Sequence, residues 1–163
     1  MCEGKIPEAV LRFQTALQLK SDNAIARNNL NRSQAAMARI DHEIAEAQKR
    51  LKNNTDKTIL YYTLAKLNTL RGRFQEAEKW YERAIEVDPR PEKALHDLII
   101  VYILERNHDK IRSVLLSWHK DEKLIDGFLN ELQTASGDES LIMKYLQGLG
   151  LYSAVFQKAV AEP

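Results

Sequence analysis

The sequence predicts an all-α fold, a right-handed α-α superhelix of stacked helical hairpins, and three observations carry that reading. Leu30, Leu64 and Leu98 recur every 34 residues. Thr58 to Pro91 makes one full period, with apolar residues at helical spacing, one internal break at Gly72 and a stop at Asp88-Pro89-Arg90-Pro91. The composition, 44% hydrophobic and 29% charged, is that of a globular chain. A fixed period of this length marks a repeat array in which each unit buries its apolar face on its neighbours. About four repeats and C-terminal capping helices fill 1–163 as a single domain.

Taken in order, residues 4–23 match only the second half of the period, through Gly4, Ile6, Ala9, Phe13 and Ala16. A half repeat leaves an apolar edge of Val10, Phe13 and Leu17, and predicts a piece of a longer array. Residues 24–57 align as a weaker copy through Ala26, Asn28, Asn29 and Leu30. In this copy Ala38 replaces the turn glycine and Glu43 replaces a small inward residue, while Leu30, Met37, Ile44 and Leu51 form a heptad stripe with Ile40 and Ala47. A hairpin templated by its neighbours is favoured here; one unbroken helix over 24–51 is the rival.

Residues 58–91 form the best copy. Leu60, Leu64, Ala65 and Leu67 face inward from a first helix, and Ala77, Tyr81, Ala84 and Ile85 from a second. Small residues let the two axes approach, and the large ones fill the space beside them. In 92–122 a first helix carries Ala94, Leu95, Leu98, Val101 and Tyr102, a second carries Ile111, Val114, Leu115 and Trp118, and the turn falls at Asn107 or His108. The segment 123–163 reads as a degenerate repeat and cap: helices at 124–132 and 141–149 around Ser136-Gly137-Asp138, then a last one at 152–160 with Phe156 on its apolar face.

The order Tyr61-x2-Leu64-Ala65-x2-Asn68, Gly72, Ala77-x3-Tyr81, Ala84, Pro89 resembles the tetratricopeptide repeat pattern. The resemblance covers about residues 4–119 and extends to bacterial repeat arrays appended to larger proteins. It implies a protein-protein interaction scaffold whose first helices line a concave groove for a peptide or partner protein. Transferred residue by residue, the groove positions are Asn28, Tyr62 and His96 in one column, and Arg32, Lys66 and Ile100 in the next. A third column holds Ile25, Ile59 and Lys93, and a fourth Ala35, Thr69 and Ile103. The basic members Arg32, Lys66 and Lys93 suit an acidic or carboxylate-bearing partner. The family subset that clamps a C-terminal carboxylate is not matched: Asn28, Arg32, Thr63, Lys93 and Asp97 stand at its five positions, and only Lys93 agrees.

Other function classes find little support. A net charge of +1 supplies no field for nucleic acid or an anionic membrane. No apolar run approaches the roughly 20 residues of a membrane span, so the segment reads as soluble, its compartment open between bacterial cytoplasm and periplasm. Cys2 alone makes no internal disulfide or cysteine metal cage. His42, His96, His108 and His119 are dispersed, and the neighbouring pairs His42-Glu43, His96-Asp97 and His108-Asp109 should point to different helix faces. With no phosphate loop and no metal-ligand spacing, no enzyme activity, cofactor or metal is expected. The alternative to a peptide groove is self-assembly, through exposed terminal helices at Phe13 or Phe156 or through exchange of a long helix 24–51.

Overall fold

The computed structural model describes residues 6–53, 57–118 and 121–134. Those residues form seven α-helices and no strand. They fall into two compact units, Met1–Val87 and Asp88–Pro163. Among them no helix is long and apolar enough to cross a membrane. The helices expected at 141–149 and 152–160, with Phe156, lie outside the described residues.

In the first unit, α1 spans Ile6–Leu19 and α2 Ala24–Asn53. Asn23 starts α2 by accepting the Ala26 N–H on its side-chain oxygen at 3.0 Å, an N-cap bond that satisfies one of the orphan donors of the first turn. From there the chain runs 30 residues without glycine or proline, about 45 Å of helix, with Arg50 and Lys52 in the last turn where the helix dipole favours cations. This corrects the hairpin expected over 24–57. The heptad stripe prevails, and Ile40, Ile44 and Ala47 are buried along it.

The hairpin of α3 (Lys57–Arg71) and α4 (Phe74–Val87) is the full repeat. Its turn is a Schellman cap: the Arg73 N–H donates to Asn68 O at 2.9 Å and the Gly72 N–H to Thr69 O at 3.0 Å. Gly72 sits at φ 76°, the left-handed region where a Cβ is costly. Ala65, Ala77, Tyr81 and Ala84 are buried between the two helices. Two ring pairs flank them, Tyr61 stacked on Trp80 at 5.8 Å and Tyr62 edge-on to Tyr81 at 6.0 Å.

The second half of α2 packs on this hairpin through one cluster, Ile40, Ile44, Ala47, Leu64 and Leu67. Asp41 fastens the junction, accepting from Arg71 Nε at 3.1 Å and Arg73 Nη2 at 2.9 Å. Both arginines flank the turn glycine. Helix α1 lies along α2, and its Pro7 rests against the turn: a Cβ added at Gly72 would stand 3.1 Å from Pro7 Cγ.

In the second unit, α5 (Glu92–Leu104) pairs with α6 (His108–Trp118), and α6 with α7 (Glu122–Thr134). The turn falls one residue earlier than expected, at Arg106, which takes φ 55°. The same cap forms there, with Arg106 N–H to Ile103 O and Asn107 N–H to Tyr102 O, and the Asn107 side chain then caps α6 at Lys110 N. Ile99, Ile111 and Leu115 are fully buried. Between α6 and α7, Arg112 bonds Asp126, and that hydrogen bond followed by the carboxylate's charge raises the guanidinium pKa above its ordinary value.

Candidate protein-interaction groove

Where α1 and α3 meet end to end along α2, they leave an open groove of about 1080 Å³ within the first unit. Its floor is apolar, formed by Ile6 and Phe13 of α1, Ala36 and Ile40 of α2, and Leu67 and Leu70 of α3. Asn29, Arg32, Arg39 and Glu43 form its polar margin. The unbroken helix creates this arrangement: a hairpin turn near Ala38 would have folded Ile40 away from Arg32.

The electrostatics follow from the sequence of α2. Residues 24–40 contain Arg27, Arg32 and Arg39 and no acidic residue. Arg32 and Arg39 are two turns apart, roughly 10 Å, on the groove side. Both are exposed, and neither pairs with a carboxylate among the described residues. Two guanidiniums above an apolar floor offer forked donors to carboxylates while the floor takes hydrocarbon.

The residues expected in the groove are distributed unevenly. Asn28 and Arg32 are exposed on the first half of α2. Tyr62 and Lys66 lie half-buried on α3, with the Lys66 ammonium 5.9 Å from the Tyr62 ring centroid. Because Asp41 sits beside Arg71 on antiparallel helices, Arg32 and Lys66 are separated by roughly 20 Å along the α2 axis rather than by one helix diameter. Thr69 is buried, its hydroxyl donating to Ala65 O at 3.0 Å. In the second unit Lys93 is exposed. His96 is buried there, its Nδ1 3.1 Å from Asp97 Oδ1. The expectation that neighbouring His96 and Asp97 diverge is therefore corrected: both are buried, which draws the two rotamers together.

Sequence reasoning missed Arg39, Asn29 and Glu43 as groove residues. Their signal was the spacing 29, 32, 36, 39, 43, which forms a single stripe only if the helix is continuous. Phe13, expected at a free edge, instead lines the groove half-buried; the exposed apolar residues of α1 are Leu11 and Leu19.

No curated protein matches the chain, and no solved structure does. A family model, that of the tetratricopeptide repeat, matches residues 11–137, from within α1 to just past α7. Such repeats are generally protein-protein interaction modules on a typically non-enzymatic scaffold. With most of its length matched and its helical hairpins capped at the repeat turns, the chain belongs to the tetratricopeptide repeat family.

Proposed function

We propose that this chain is a non-enzymatic scaffold that binds a segment of another protein, carrying acidic and apolar side chains, in the groove along the first half of α2. The observation that carries the reading is the pair Arg32 and Arg39, exposed and without carboxylate partners, over the floor of Phe13, Ile40 and Leu70. Asn28, exposed beside Asn29 and one turn before Arg32, adds a polar contact at the margin's end, and Tyr62 and Lys66 offer a second contact on α3 for a longer segment. Lys93 belongs to the exposed surface of the other unit. Thr69 and His96 are buried and serve packing in this reading.

Panning the immobilised chain against a displayed peptide library tests it. Enriched peptides should combine carboxylates with large apolar residues. Arg32→Glu should weaken them by roughly tenfold to a hundredfold, since a charged contact becomes a repulsion. Peptides that bind equally well to Arg32→Glu, Arg39→Glu and Tyr62→Ala would refute the reading.

A further inference from the structure

The charges of α2 are segregated. Its first 17 residues carry only arginines, and the next six carry Asp41, Glu43 and Glu46. Asp41 is engaged by Arg71 and Arg73, whereas Glu43 and Glu46 are exposed and pair with no cation among the described residues. Asn29, Arg32, Ala36, Arg39, Glu43 and Glu46 follow one another at alternating steps of three and four, a straight stripe whose first five members line the groove and whose last, Glu46, continues it beyond the groove's end.

Turned end for end, this stripe complements itself. With the midpoint between Ala36 and Arg39, Arg32 of one copy faces Glu43 of the other, Asn29 faces Glu46, and the small Ala36 faces Arg39. Each opposition occurs twice by symmetry and none sets like charges directly opposite, the two Arg39 residues standing one turn apart along the axis, each beside the other's Ala36. Sliding one turn in one direction puts Arg39 against its own mate; sliding one turn in the other puts Arg32 against Arg39. We propose that a second copy of this chain occupies the groove through its own α2, antiparallel and two-fold symmetric. The facing stripes span roughly 26 Å. Ala35 and Ala36 let the axes approach, and the hydrocarbon stem of the second copy's Arg39 covers Phe13 and Ile6. Self-pairing and capture of an acidic segment then compete for the same arginines, so a partner binds by dissociating the pair.

Light scattering coupled to gel filtration, on the full chain over a wide concentration range at low salt, tests the pairing. The mass should rise with concentration from 18.8 kDa toward twice that value. Arg32→Glu and Glu43→Arg, each alone, should weaken association on the order of a hundredfold, because two attractions become two repulsions. The double reversal Arg32→Glu with Glu43→Arg should restore it while rejecting acidic peptides. A monomer at every concentration overturns the proposal. So does a dimer indifferent to the single reversals, which would place the interface elsewhere, such as Leu11 and Leu19. A wild-type dimer that takes no acidic peptide keeps the pairing and removes the peptide reading, and a monomer that takes one does the reverse. Both positions are exposed, so circular dichroism of each variant should match wild type.

Discussion

Helix α2 and the α3–α4 hairpin are the same 34-residue unit one period apart, yet one stays straight and the other folds back. The contrast lies in three inward positions. The hairpin has Ala65, Ala77 and Ala84, all buried; α2 has Asn31, Glu43 and Arg50, all exposed. Closing α2 would press an amide, a carboxylate and a guanidinium into a contact with no room for their partners. The α5–α6 hairpin supplies the control. At the same positions it has Ile99 and Ile111, both buried, and an exposed Trp118, all large but apolar, and it closes with Arg106 rather than glycine at the turn. A left-handed turn residue without a glycine is thus affordable when the faces behind it are apolar, and the polarity of those faces decides whether the repeat folds back.

Converting α2 toward its neighbour has the largest expected effect. Asn31→Ala, Ala38→Gly, Glu43→Ala and Arg50→Ala together should split it into two helices. Spin labels at Asn28→Cys and Gln48→Cys, in a Cys2→Ser background, should then move from about 30 Å apart to about 10 Å. An unchanged distance would mean that docking on α1 and α3 holds the helix open. The opposite exchange, Ala77→Glu, brings α2's carboxylate into the closed hairpin. It should cost at least about 3 kcal/mol in urea unfolding, from overpacking and charge burial together. Gly72→Ala is the smallest step. The left-handed φ should cost about 1–2 kcal/mol, and the new Cβ must displace Pro7, so the loss should be partly relieved by Pro7→Ala in a double-mutant cycle.

The full repeat was legible because its signals agree: helical spacing, small residues where axes meet, a glycine at the turn and prolines at the end all mark the same boundaries. In α2 they disagree. The period argues for a hairpin and the heptad for a helix, and the structure follows the heptad over Ala24–Asn53. The replacements Ala38 and Glu43 were visible, but Asn31 and Arg50 complete the argument only when read together with them. The family columns assume first helices stacked side by side, whereas here Arg32 and Lys66 sit on opposite sides of the α2–α3 junction. The burial of Thr69 and His96 depends on packing that one helix's periodicity does not encode.

The contact between Pro7 and Gly72 also sets an order in time. The α3–α4 hairpin needs only contacts close in sequence, so it can form early. Helix α1 has no buried residue of its own, and its seat on Gly72 exists only once that turn has closed. With most of its packing on α2 and none of its residues fully buried, it should be the first helix of the first unit to leave. Its amides should exchange with solvent faster than those of α3 and α4 in the native state, and each departure strips Ile6 and Phe13 from the groove floor without disturbing the hairpin beside it.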